Sequence, residues 1–189
     1  RMVGRVWFVG SSPETAPIIA ASFAEGLAQL EAHLSLRAYL FGGRPSFGDF
    51  GLWGQVYNAW TDPTLGAQIR KDAPAVCAWI ERMLDPKPVA DGNWEDAAAL
   101  LPTLEPFLAS QVGALFLPWS DANAEALAAG EEEFTVQLGV GGADTWTQKP
   151  QKYHARSLKA IRARYAETSS NADLNAVLDR TGCKSWLAR

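Results

Sequence analysis

Few residues in this chain have the types and spacing that catalysis or metal binding requires. There are two histidines, His33 and His154, and two cysteines, Cys77 and Cys183. A metal centre needs several ligands converging from short spacings, and neither pair stands that way. Neither a Gly-x-Ser-x-Gly elbow nor a His-Glu-x-x-His helix occurs. His33 sits beside an apolar helical stripe with no second ligand-type residue at helical spacing, which reads as a surface or satisfied histidine. Cys77 has no histidine or basic cluster flanking it to favour the thiolate, so it reads as a small buried hydrophobe. Gly139-Val140-Gly141-Gly142 lacks the Gly-Lys-Ser/Thr ending and the following helix of a phosphate loop, so its glycines read as turn residues. No catalytic residue and no metal ligand can be assigned.

Two other groups have informative spacing. Ser46 and Asp49 lie three residues apart ahead of an apolar run, the arrangement in which a hydroxyl accepts from the backbone N–H of the carboxylate residue while the carboxylate accepts from the N–H of the serine. That capping box starts a helix and does no chemistry. Behind it Phe50, Trp53, Tyr57 and Trp60 recur at steps of three, four and three, placing four aromatics on one helical face. Such a face is able to line an apolar substrate pocket, but the reading preferred from sequence is core, with the remaining elements packed around this helix. Gly48, Gly51 and Gly54 run alongside, and the expected reason is close approach of another backbone.

The elements that must position these residues are mostly helical. Ser12-Pro13 begins a helix whose stripe is Ile19, Phe23, Leu27, Leu30 and Leu34. The capped helix runs from Ser46 to near Trp60, and a turn over Leu65–Lys71 leads to a helix from Pro74 with Val76, Trp79, Ile80 and Met83 inward. Prolines and a glycine over residues 86–93 mark a boundary. Beyond it, Trp94–Leu104 and Pro106–Leu117 read as two helices, and Pro118 ends the second. A short helix follows to Gly130, then a β-hairpin over Phe134–Leu138 and Ala143–Gln148. Residues 151–167 form a helix with Leu158, Ile161 and Tyr165 inward and a basic, solvated outer face of Lys152, Arg156, Lys159, Arg162 and Arg164. Ala172–Arg180 is the final helix.

The segment Gly43-Arg44-Pro45-Ser46-Phe47-Gly48-Asp49-Phe50 resembles the Ser-x-x-Asp capping-box segment of the all-helical C-terminal domain of glutathione transferases. Thr61-Asp62-Pro63 and Ala73–Met83 continue the resemblance, which covers residues 14 to 85. Gly48 stands where the family usually has alanine. Residues 117–182 more weakly resemble a C-terminal extension found in a bacterial subgroup of such proteins. The resemblance implies a mainly α fold, a helical bundle over residues 1–85. Residues 86–189 would be an extension with a hairpin near 133–148, packed on that bundle as one domain.

It also implies a function. In that family an N-terminal thioredoxin-like domain binds glutathione and activates its thiol, while the helical domain lines the electrophile pocket. The chain would then supply walls, with Phe50, Trp53, Tyr57 and Trp60 as lining and Ser46 and Asp49 as folding determinants. It would hold no cofactor itself, glutathione belonging to the whole protein, and its partners would be its own thioredoxin-like domain and a homodimer mate. On this reading the chain is a fragment of a cytoplasmic enzyme. The alternative is a non-catalytic interaction module of the same fold.

Composition agrees with a folded chain of this kind. The 189 residues are 48% hydrophobic and 20% charged, enough to bury a sizeable core. A net charge of −4 gives no general attraction to nucleic acid or an anionic membrane. The sequence predicts no membrane-spanning helix, since no run reads as the roughly 18 apolar residues that one needs. Two cysteines make no disulfide framework and suit a reducing compartment.

Overall fold

The computed structural model describes residues 10–87 and 92–189. Nine α-helices and one hairpin are found among them. They fall into two compact units, one of Phe23–Leu104 and one of Glu105–Arg189 with the N-terminal residues up to Ser22. The expected boundary over residues 86–93 falls in part on residues 88–91, which lie outside the described residues.

In the Phe23–Leu104 unit, helix α1 (Ala16–Leu34) contributes Leu27, Leu30 and Leu34 to the core. It begins at Ala16 because Ser12 and Thr15 bond each other first, Ser12 N–H donating to Thr15 Oγ1 at 2.8 Å. Its earlier stripe residue Ile19 is 40% exposed and outside any core. Helix α2 (Phe47–Thr61) is followed by α3 (Pro63–Asp72), for which the Asp62 carboxylate accepts from Thr64 and Leu65 N–H. Helix α4 (Pro74–Leu84) has no cap from its own N-terminal residue Ala73. Glu31 of α1 supplies one from a distance, its two carboxylate oxygens accepting from Ala75 and Val76 N–H at 3.0 Å each. The centre of this unit is α4: Val76, Trp79 and Ile80 are fully buried, as are Ile69 and Ala73 beside them.

The expectation that α2 is the buried centre is wrong. Its only buried residue is Asp49, and Phe47 and Phe50 are 86% and 58% exposed. Nor do its glycines admit another backbone: a side chain on Gly51 or Gly54 would meet nothing within 4 Å. Periodicity identifies a face, but what covers that face is a tertiary matter.

The backbone leading into α2 is held by a second stretch of the unit. Gly42 pairs with Tyr39 and with Trp94, Gly43 N–H reaches Asn93 O at 3.0 Å, and Glu95 N–H reaches Phe41 O at 2.9 Å. Gly42 has φ +127, and a Cβ there would stand 2.6 Å from Asn93 O, so only glycine fits.

Neither expected break, between Leu104 and Pro106 or at Pro118, occurs. Helix α5 (Ala97–Phe107), a π-helical segment (Leu108–Phe116) and α6 (Leu117–Ala129) form one continuous run. Pro118 is tolerated because it sits at the first turn of α6, after the wider π register in which Leu117 N–H reaches back to Val112 O. The carbonyl of Ala114, which proline has no N–H to serve, accepts instead from Gly139 N–H at 2.9 Å. By length and composition this run is enough to cross a membrane, contrary to the expectation that none would be; 17% of its most apolar window is buried. Its α6 part is built into the fold by buried Ser120, Asp121 and Asn123.

In the second unit the core is Leu117, Leu158, Cys183 and Leu187, flanked by Val112, Tyr165, Leu178 and Trp186. Strands β1 (Phe134–Leu138) and β2 (Asp144–Gln148) pair antiparallel, Phe134 opposite Gln148, around a turn in which Gly139, Gly141 and Gly142 all take positive φ. Helix α7 (Lys152–Thr168) buries only Leu158; Ile161 is 37% exposed rather than inward. Helix α8 (Ala172–Arg180) and a short α9 (Lys184–Leu187), which the sequence did not announce, close the chain. Helix α7 and Arg189 converge on Asp121 of α6, whose carboxylate takes the guanidinium of Arg162 at 2.5 Å and that of Arg189.

Candidate functional site

The candidate site is helix α2 from its start to Trp60, with the residues that hold it. Ser46 has extended backbone (φ −108, ψ 171), so its side chain is free to turn onto the helix start. Its Oγ accepts from Asp49 N–H at 3.2 Å and donates to Asp49 Oδ2 at 2.6 Å, and the same Oδ2 accepts from Ser46 N–H at 2.8 Å. The other carboxylate oxygen faces the interior. Asp49 Oδ1 accepts from Leu40 N–H at 2.8 Å and from the indole N–H of Trp79 at 3.0 Å. A fully buried carboxylate is tolerable only when its lone pairs are occupied, and here four donors do so. Asp49 therefore ties three pieces together: the start of α2, the segment before it and the centre of α4.

The aromatic face lies along the helix that this node fixes. Trp53 and Tyr57 stack at 5.1 Å between ring centroids, and Tyr57 and Trp60 at 6.0 Å. All three are half-buried and Phe50 is more open still. The guanidinium of Arg70, from α3, lies over the Trp60 ring at 5.0 Å, a cation–π contact that steadies the far end of the ladder. The result is a stacked, largely apolar surface, its successive rings inclined by 25° and 30°, with Gly51 and Gly54 leaving its flank open. Such a surface can hold flat apolar groups by stacking and area burial; it presents no activated nucleophile, its one ionisable group being the Tyr57 phenol.

Neither thiol changes that conclusion. Cys77, half-buried, has its Sγ 3.7 Å from Ile69 O, and burial pushes its pKa up against the opposing pull of Trp60 and Arg70. Burial likewise raises Cys183, in the other unit. A reactive cysteine needs the opposite shift. Among the described residues no group of three or more His, Cys, Asp and Glu side chains could hold a metal ion.

Sequence reasoning reached Ser46 and Asp49 but not Leu40 and Trp79, their partners in space. It also missed Glu31 as the cap of α4. No local signal marks these, since the bonds span 9, 30 and 44 residues.

Residues 13–82 match the family model of the glutathione S-transferase C-terminal domain. That stretch belongs to this family, and it holds the capping node, the aromatic ladder and the α4 core. No curated protein and no solved structure matches the chain.

Proposed function

We propose that this chain is the pocket-lining half of a glutathione-transferase-like protein, in which Phe50, Trp53, Tyr57 and Trp60 form an apolar wall for the electrophile. A thioredoxin-like domain, outside these residues, binds glutathione and supplies the activated thiol. The observation that carries the reading is the state of α2: a stacked aromatic ladder that is not sealed into a core, on a helix fixed at its start by a fully buried node. Stacked aromatic walls beside an open flank suit an apolar ligand. A cytoplasmic setting and a homodimer mate belong to the same proposal.

The test is quenching of tryptophan fluorescence by a flat apolar electrophile such as a chlorodinitrobenzene, compared between the natural protein and Trp53→Ala. Saturable quenching that weakens at least tenfold in Trp53→Ala supports the wall. Non-saturable quenching identical in both proteins argues against it.

A second reading has an observation of its own. Phe47, at the first position of α2, is 86% exposed and adds an apolar tip that a pocket wall does not need. That suits a non-catalytic interaction module. A thioredoxin-like domain bearing a Cys-Pro, serine or tyrosine element near its start favours the enzyme, and one lacking it favours the module.

A further inference from the structure

In the Phe23–Leu104 unit the imidazole of His33 is 1% exposed and both its ring nitrogens are engaged. Nδ1 stands 2.7 Å from Thr103 Oγ1 and 2.9 Å from Arg37 Nη1, and Nε2 stands 2.8 Å from Leu40 O. A guanidinium only donates and a carbonyl only accepts. Nδ1 is therefore bare and Nε2 carries the proton, a tautomer fixed by its partners.

A second proton has one place to go, and that place is blocked. At Nδ1 it would set donor against donor and cation against cation across 2.9 Å. The Thr103 hydroxyl can rotate to accept; Arg37 cannot. Arg37 is also what fastens the neighbourhood, donating to His33 O, Thr103 Oγ1 and Ala99 O and pairing with Glu95 at 3.0 Å. The residue on the other side, Leu40, gives its carbonyl to His33 and its N–H to Asp49.

The charged groups around the ring are Arg37, which opposes a proton there, and Glu95 and Asp49, which favour one. Arg82 of α4 is occupied with Ala38 O and lies over the Tyr39 ring at 5.8 Å. Burial is the largest influence and, with Arg37, outweighs the Leu40 carbonyl and the two carboxylates, so the imidazole sits below its usual 6.5.

We propose that His33 is an acid-sensitive latch on residues 37–43: neutral, it clamps that segment between α1 and α5, and protonated, it expels the Arg37 guanidinium and frees the segment that leads into α2. The folded protein keeps His33 neutral where the unfolded chain would take up a proton. The latch is therefore fully closed above about pH 6.5 and weakens as the pH falls below it.

Amide hydrogen exchange between pH 7.5 and 5.5, corrected for intrinsic chemistry, tests this at Leu40, Gly43 and Glu95, with nitrogen NMR of the ring. In the natural protein Nε2 is the protonated nitrogen at pH 7.5, and protection of the three amides falls by up to about tenfold per pH unit once the latch titrates. In His33→Gln, which keeps a donor and an acceptor but does not titrate, protection is flat with pH. Arg37→Met, which removes the opposing cation, shrinks the dependence. Protection independent of pH in the natural protein, a slope equal to it in His33→Gln, or a proton on Nδ1 at pH 7.5 would each overturn the latch.

Discussion

Asp49→Ala is the substitution for which the structure gives the clearest magnitude. The carboxylate is 0% exposed and accepts four hydrogen bonds, from Ser46 N–H, Ser46 Oγ, Leu40 N–H and the Trp79 indole. Removing it abolishes half of the cap, for which about 1 kcal/mol is typical. It also strands the Leu40 N–H and the Trp79 N–H in the interior, each at about 1–3 kcal/mol. The sum is about 3–7 kcal/mol, a large share of the roughly 5–15 kcal/mol that holds a domain folded. At about 2–4 °C per kcal/mol for a chain of this length, the thermal midpoint should fall by about 6–28 °C.

Ser46→Ala removes only the cap and should lower stability by about 1 kcal/mol. Asp49→Asn, which retains one oxygen for the interior pair but presents N–H groups to Ser46, should fall between. Urea unfolding of these variants with Trp79→Phe, singly and combined, isolates the node: the loss from Asp49→Ala should shrink by about 1 kcal/mol or more once the indole donor is gone. If Asp49→Ala and Ser46→Ala unfold alike and Trp79→Phe is strictly additive with Asp49→Ala, the four-donor node is refuted.

Other perturbations have equally definite outcomes. Glu31→Ala removes the carboxylate that accepts from Ala75 and Val76 N–H at the start of α4 and should cost about 1–2 kcal/mol in urea unfolding, within the range for helix caps. Gly51→Ala and Gly54→Ala, where a Cβ meets nothing, should stabilise by up to about 1 kcal/mol through helix propensity. Gly113→Ala should do the reverse and markedly destabilise, because its Cβ would stand 2.1 Å from Thr181 O; thermal unfolding of the three separates the two environments. Both thiols are held above their ordinary pKa by burial, so labelling by a thiol reagent should be slow at pH 7 and quicken with rising pH, Cys183 remaining the slower because it is the more buried.

The parts of this fold that are legible in the sequence are those whose causes are local. Ser46 and Asp49 lie within one turn, and the Phe134–Leu138 and Asp144–Gln148 strands alternate around positive-φ glycines. Each announces its own structure. The α2 aromatics announce a face and its period but not its neighbours, so the same four residues are read as core when they are half open. Pro118 looks like a helix end until Gly139 supplies the N–H that proline lacks. His33 is readable as satisfied, yet its partner Thr103 lies 70 residues away. At the candidate site the residue types were visible beforehand, and the burial and partners that decide their roles were not.

The central claim is that these 189 residues furnish an apolar wall and leave glutathione and its thiol to another domain. Isothermal calorimetry of the chain alone with glutathione tests it most directly. The account predicts no saturable heat at micromolar glutathione; a stoichiometric isotherm with micromolar affinity would contradict it.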